Sequence, residues 1–417
     1  MGCSSSANAC TFFQTYEMGR KLGQGHFAHV RAITARSKET GKMTESNEKV
    51  VKVFDLRQAP NLNDVWRACA KKEVEVLKLV RNHNNCVGFI DAFFCDGFCY
   101  IILEKCSMSL LQHLSQMHDL NERSIGGCFA QMLSAISHIH RLRVLHGNIK
   151  LDKFLVGGDG TTIKLHDFCS SIILPSKGKV RGLRGTSAYM CPEMINDEMY
   201  DEKADMWSFG VIAYILVFGG FPYGSKSDDA LCMRKAIVKG TPPKFLPVEE
   251  NGGCRSGYVT AFVAALLDRD PDVRPSAKDV LKQSYMHMIQ NSCYMPGAHL
   301  MSLQPMLSLA VEVGKMELYD LSQELSVDLR LSATQVQPAV NSLRNDKIKP
   351  NYCAADLAVE FPCLPGIDKS CAHHSSIDGS GSTSCSSYKF DSASPDPSIY
   401  ASSISSSLER ISAKFSL

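Results

Sequence analysis

The chain has 417 residues, 44% hydrophobic and 21% charged, with a formal net charge of +2 at pH 7. This describes a globular chain with room for a two-lobed domain and a tail, and the small net charge gives no general electrostatic case for nucleic acid. The 17 cysteines are odd in number, scattered and without a Cys-x-x-Cys pair, and the closest spacing, Cys95 to Cys99, has no histidine cluster beside it; free thiols in a reducing cytosol are expected rather than zinc.

Residues 1–13 are expected to be a free arm. It begins MGCSSS, the pattern for N-myristoylation, with Gly2 as acceptor and Ser6 at the required position. Cys3 is placed for a palmitoyl thioester, the second anchor that stable attachment needs. The expected location is cytoplasmic and peripheral to a membrane. The first ten residues lack the basic start and apolar run of a secretory signal. The longest apolar run, VIAYILVFGG at 211–220, is about half the length a bilayer needs and suits a buried helix.

From 14 to about 103, strand-like runs alternate with turn signals: GRKLGQG, AHVRAITA, KVVKVF, then VGFIDAFF and CYIILE. One helix interrupts them at roughly 62–81. Residues 104–109 connect this part to a second, from 110 to about 287, where helical patterning dominates in LLQHLSQM, RSIGGCFAQMLSAISHIHRL, ADMWSFGVIAYILVFG and YVTAFVAALLD. A small strand-rich lobe followed by a larger helical one is α+β in class. Residues 288–365 are expected to be a partly helical extension, with Leu318, Leu321, Leu325 and Leu329 on one face. The segment 366–417 is Ser-rich and expected to be disordered.

Within this order lie the residues that carry chemistry. In LGQGHFAHV, residues 22–30, Gly23 and Gly25 between two strand-like runs let a hairpin backbone come close to phosphate oxygens, with Ala28 at the third glycine position. Lys52 lies among Val50, Val51, Val53 and Phe54, where an ammonium either snorkels or is held by a partner. On the helix at 62–81, Trp66, Cys69, Val76, Leu77 and Val80 make the apolar stripe; Glu73 falls on it and Glu75 points away. A carboxylate on a buried face wants a cation, so Lys52 and Glu73 are expected to pair. Then follow His146, Asn148, Lys150 and Lys153, a strand-like TTIKLH, and Asp167-Phe168-Cys169. GTSAYMCPE at 185–193, YDEKADMWSFGVIAYILVFGGFPYG at 200–224 and RDPDVRPSAKDVL at 269–281 complete the series.

Taken in this order, the motifs resemble the protein kinase family across residues 14 to about 287. GTSAYMCPE is similar to the serine/threonine branch, and YDEKADMWSFGV to the calcium/calmodulin-regulated and calcium-dependent kinases. The resemblance implies a bilobal kinase fold that binds ATP. Leu22, Gly23, Gln24, Gly25, His26, Phe27, Ala28 and Val30 would cover the nucleotide, and Lys52 would pair its phosphates with Glu73 behind it. Leu103 would be the gatekeeper, Glu104 and Cys106 would offer backbone groups to adenine, and Leu155 would line the same pocket. Asp167 would hold magnesium, Thr186 would belong to the substrate-side loop, and Glu193 would brace the large lobe through Arg274.

The chain departs from the family pattern H-R-D-L-x-x-x-N, reading instead His146-Gly147-Asn148-Ile149-Lys150-Leu151-Asp152-Lys153. Asn148 stands at the catalytic aspartate. An amide orients a hydroxyl but cannot take its proton, and loss of a general base commonly costs about 10²- to 10⁴-fold. Phosphoryl transfer depends mostly on positioning and charge, so slow turnover stays open while efficient turnover is not expected. Lys153 stands at the second magnesium ligand, where an ammonium offers no lone pair. It is expected either beside Asp167, supplying part of the missing cation's charge, or turned into solvent. Nucleotide binding that depends little on magnesium follows from the first placement.

Gly147 removes the arginine that would clamp a phosphorylated activation loop. Cys169 replaces a glycine and is expected to be a small buried filler. Asp152 is expected to face substrate or solvent, and so not to rescue catalysis. SIDGSGSTSCSS, from Ser376 to Ser387, lacks the anchoring aspartate and the bidentate glutamate of a calcium loop, so no Ca²⁺ site is expected. Three readings follow: a pseudokinase that binds ATP and acts at a membrane on a protein substrate or a partner kinase; an active, atypical serine/threonine kinase; and an interaction module that binds no nucleotide.

Overall fold

In the computed structural model, residues 11–24, 28–36, 48–57, 63–176, 178–224, 230–245 and 255–290 are described. Gly2, Cys3, the leucine face at 318–329 and the Ser-rich segment lie outside them, as do Gly25, His26 and Phe27.

The small lobe is one antiparallel sheet. Its strands are β1 (Tyr16–Gln24), β2 (Ala28–Ala35), β3 (Lys49–Asp55), β4 (Phe89–Cys95) and β5 (Phe98–Glu104), in the order β1-β2-β3-β5-β4. Each strand-like run of the sequence forms one of them. On β3, Val51, Val53 and Phe54 are buried, and the register sets Lys52 opposite Val30 of β2 and Ile101 of β5. One sheet face packs on helix α2 (Asn63–Val80), through Val76, Leu77 and Val80. Glu73 shares that face with 1% exposure, and Glu75 is exposed, as the helical periodicity requires.

The other face of the sheet overturns the expectation of a free arm up to residue 13. Thr11–Thr15 form a short helix, α1, and Phe12 is fully buried against Tyr16, Ile33, Val51, Val53, Tyr100 and Ile102. Its ring stacks on Tyr100 with centroids 4.3 Å apart. An exposed apolar sheet face gains more from an aromatic cover than the chain loses in ordering one turn.

The large lobe begins with β6 (Met108–Ser109) and α3 (Leu110–Gln116), and its axis is α4 (Glu122–Arg141). Asn121 caps α4, accepting from the Arg123 and Ser124 N–H groups, and the Ser124 hydroxyl accepts from the Asn121 N–H in return. After α4 come β7 (Val144–Leu145), β8 (Phe154–Val156), β9 (Ile163–Leu165) and β10 (Ile172–Ile173), then α5 (Pro192–Ile195) and α6 (Lys203–Phe218). Helices α7 (Ala230–Lys239), α8 (Gly257–Leu266), α9 (Ala277–Val280) and α10 (Ser284–Gln290) complete the lobe. Helix α6 is apolar almost all round and correspondingly buried. The apolar run at 211–220 lies mainly in this core helix, and no helix among the described residues is long and apolar enough to cross a membrane.

Glu193 and Arg274 meet as expected, with Arg274 Nη1 donating to Oε1 at 2.7 Å and Nη2 to Oε2 at 3.1 Å. Both are buried, and this forked geometry is what makes a buried charge pair tolerable. The cysteines follow the free-thiol expectation at eight described positions; Cys95 departs from it, being disulfide-bonded.

Candidate functional site

The cleft is built by β3, α2, the turn around Asn148 and the segment that follows β9. Lys52 donates from Nζ to Glu73 Oε1 and to Asp167 Oδ1, each at 2.7 Å. Burial alone would lower the Lys52 pKa, but Asp167 and Glu73 outweigh it and hold the ammonium charged well above the usual lysine range. The expected Lys52–Glu73 pair is therefore present, and it extends to Asp167.

Asp167 has a second cation. Lys153 donates from Nζ to Asp167 Oδ2 at 2.7 Å. Of the two placements open to Lys153, the structure adopts the one beside Asp167, with the side chain 12% exposed. Burial opposes its charge, yet Asp152 and Asp167 raise its pKa. Asp167 is held well below the carboxylate range, because Lys153 and Lys52 outweigh the burial that would raise it. The residue sits at φ +66°, a left-handed conformation that a non-glycine residue keeps only when its surroundings fix it. Two ammonium groups, one per oxygen, supply that constraint.

These contacts bear on metal binding. A divalent ion would need lone pairs, and the side chains at 148 and 153 offer an amide and an ammonium. The one group of potential ligands among the described residues is Glu73, Asp167 and Cys169, and Lys52 Nζ bonds to all three. The residues present do not fit a pair of magnesium ions.

The turn itself is fixed from below. Asp205 of α6 accepts the His146 N–H at Oδ2 and the Gly147 N–H at Oδ1, each at 2.9 Å, and also meets His140 Nε2 at 2.9 Å. Gly147 has φ +74°, and a side chain there would press on Ser170 O at 3.1 Å. The stretch between β10 and α5 closes over the turn at Gly185, where any Cβ would stand 2.6 Å from Gly147 O. Thr186 Oγ1 then lies 3.4 Å from Asn148 Oδ1. Lys150 is 3% exposed, and its Nζ stands 3.5 Å from Asp152 Oδ2. Asp152 is half-exposed and paired with both Lys150 and Lys153.

The residues expected to contact a nucleotide lie on β1, β2, β5 and β8 and in the stretch after β5. Leu22, Ala28 and Val30 are partly buried against the core, Gly23 faces Val30 across the β1–β2 pair and Gln24 faces His29. Leu103 is buried at 9% exposure, and Leu155 lies on β8. Beyond β5 the Lys105 N–H goes to Glu48 O and the Ser107 N–H to Val156 O. The Cys106 N–H between them has no acceptor among the described residues, which leaves a backbone donor for a flat heterocycle. The Glu104 side chain is structural, accepting the Gly88 N–H at 2.5 Å and pairing with Lys164 at 2.9 Å.

Two participants escaped the sequence. Asp205 was legible only as a carboxylate inside an apolar helix, a signal that it must be satisfied without showing by what. Cys169 is no mere filler: its thiol donates to Glu73 Oε2 at 3.0 Å and accepts from Lys52 Nζ at 3.2 Å.

The family model of the protein kinase domain matches residues 16–286. The Aurora kinase of Schizosaccharomyces pombe is 29% identical over 279 residues, covering 66% of this chain and 73% of its own. The calcium/calmodulin-dependent serine/threonine-protein kinase 1 of Oryza sativa is 29% identical over 274 residues, 65% of this chain and 44% of its own. CDPK-related kinase 5 of Arabidopsis thaliana is 27% identical over 348 residues, 81% of this chain and 56% of its own. This chain thus spans about half the length of the two plant relatives.

Proposed function

The chain belongs to the protein kinase family, in its serine/threonine lineage, and from that premise we propose that it is an ATP-binding signalling protein with impaired phosphoryl transfer, working at a membrane on a protein substrate or a partner kinase. The observation that carries this reading is the Lys153 ammonium on Asp167, beside Asn148 where a base is needed. Nucleotide would be held by Lys52, by the hairpin from Leu22 to Val30 and by the Cys106 N–H. The phosphates would meet the Lys52 and Lys153 cations where most kinases supply metal. A like-charge pair at 4 Å costs about 4 kcal/mol in a partly screened site, and a divalent ion doubles it, so Lys153 discourages magnesium on Asp167. Binding that needs little magnesium is part of the proposal.

The retained Lys52–Glu73 pair and the buried Lys150 favour a second reading, an active, atypical serine/threonine kinase, since positioning supplies much of this catalysis. ATP-dependent stabilisation and phosphate transfer, measured on one preparation, separate the two. Stabilisation without transfer supports the first reading. Transfer at ordinary kinase rates that Asp167→Asn abolishes would establish the second.

Membrane attachment rests on Gly2 and Cys3 in MGCSSS. Gly2→Ala should abolish incorporation of a myristate analogue and release the chain from membranes, and Cys3→Ser should weaken retention. Unchanged retention in both would remove the membrane from the proposal.

A further inference from the structure

We propose that Cys169 is a positioning residue of the cleft: its thiol closes a loop of three polar contacts that holds α2 against β3 in the absence of nucleotide. The loop runs from Lys52 Nζ to Glu73 Oε1 at 2.7 Å, from Glu73 Oε2 to Cys169 Sγ at 3.0 Å, and from Cys169 Sγ back to Lys52 Nζ at 3.2 Å. It joins β3, α2 and the segment after β9. The preceding Phe168 fixes the thiol's place, since its ring is fully buried beside His146 with centroids 5.2 Å apart.

Glu73 explains why a thiol matters here. The residue is 1% exposed, so each carboxylate oxygen needs a donor from the protein, and a buried acceptor left without one is costly. Lys52 serves Oε1 and Cys169 serves Oε2. A glycine or a methyl group at 169 would leave Oε2 without its only donor among the described residues. A sulfur set 3.0 Å from a carboxylate oxygen makes this contact as an S–H donor. The carboxylate of Asp167 takes no part in the loop, which leaves its Oδ2 to Lys153. Helix α2 is then set inward by the chain itself, before any ligand arrives.

Only the ATP arm of the test depends on the nucleotide-site reading. Amide hydrogen exchange across α2 is measured on the full, nucleotide-free chain as wild type, Cys169→Ala and Cys169→Ser, and ATP affinity is read by thermal-shift titration. With one buried hydrogen bond lost, Cys169→Ala should raise exchange across α2 about tenfold and weaken ATP about fivefold. Cys169→Ser keeps a donor and an acceptor and should stay within about twofold of wild type. In a Glu73→Gln background, Cys169→Ala should change exchange by less than about twofold, because the contact it removes is already altered. If Cys169→Ala fails to fold, Cys169→Val, which fills the space without a donor, is compared with Cys169→Ser in its place. Wild-type exchange in Cys169→Ala, or equal disruption by serine and alanine, would overturn the proposal. A normal exchange response with no ATP binding in wild type would count against the nucleotide-site reading alone.

Discussion

Lys153 and Asp167 meet at 2.7 Å in the cleft, and Lys52 holds the other oxygen of the same carboxylate at 2.7 Å. Two ammonium groups and the carboxylates of Glu73 and Asp167 therefore balance without a bound ion. On the proposed reading, a carboxylate so paired discourages magnesium, and a bound phosphate would compete for the lysines.

Restoring the missing chemistry should require both positions. Asn148→Asp returns a base worth about 10²- to 10⁴-fold, but Lys153 would still occupy Asp167. The double variant Asn148→Asp, Lys153→Asn should therefore raise phosphate transfer to a generic protein substrate by at least about 100-fold, and each single variant by far less. Radiolabelled ATP assays decide the matter. A single change that does as well as the double would show that the other position does not limit transfer.

The Glu193–Arg274 pair should be a stability element. Arg274 is fully buried, so Glu193→Gln leaves its charge without a counter-ion, at a cost of about 3–5 kcal/mol. Urea unfolding should show a loss of unfolding free energy of that order, read as a lower midpoint at unchanged slope, and ATP binding below the midpoint should persist. A change under about 1 kcal/mol, the value of an exposed pair, would contradict the burial.

Phe12 should stabilise the small lobe. Removing a fully buried ring typically costs about 3–5 kcal/mol, and Phe12→Ala also uncovers Tyr100, on which the ring stacks. Thermal unfolding should fall by several degrees. Phe13→Ala is the control, since that ring is 46% exposed, and its effect should be small.

Stability should fall in mild acid. His83 and His138 stack with centroids 4.4 Å apart. Burial lowers the pKa of both, with Arg141 a further cause for each and Lys164 for His83. Neutral histidine is the folded form, so the unfolded chain binds protons first. The contribution of this pair is complete above the unfolded value of about 6.5 and is lost as pH drops from there toward the lower folded values. The chain should thus unfold at lower urea at pH 5 than at pH 7.5, and His138→Gln should flatten the difference. Equal steepness in the variant would place the effect elsewhere.

Much of this was readable in the residues. Helix α2 shows itself through an apolar stripe that Glu73 interrupts, and a buried carboxylate beside a strand lysine predicts its own partner. Glu193 and Arg274 are far apart in the chain and become a pair only through the family resemblance. Three features have no such signal. A lysine side chain carries no direction in sequence, so Lys153 could point to Asp167 or to solvent until β8 and β9 fixed its turn. Cys169 is one small residue with no periodicity, and its bond to Glu73 spans two elements. Phe12 lacks a repeating pattern around it, and the aromatic partner that buries it, Tyr100, lies on β5.

The central claim is that Lys153 stands in for the metal, and ATP titration in EDTA against millimolar magnesium tests it most directly. Wild type should be stabilised to a similar degree in both, while Lys153→Asn should bind ATP at least about tenfold better with magnesium than without. Wild-type binding that appears only with magnesium would contradict the account.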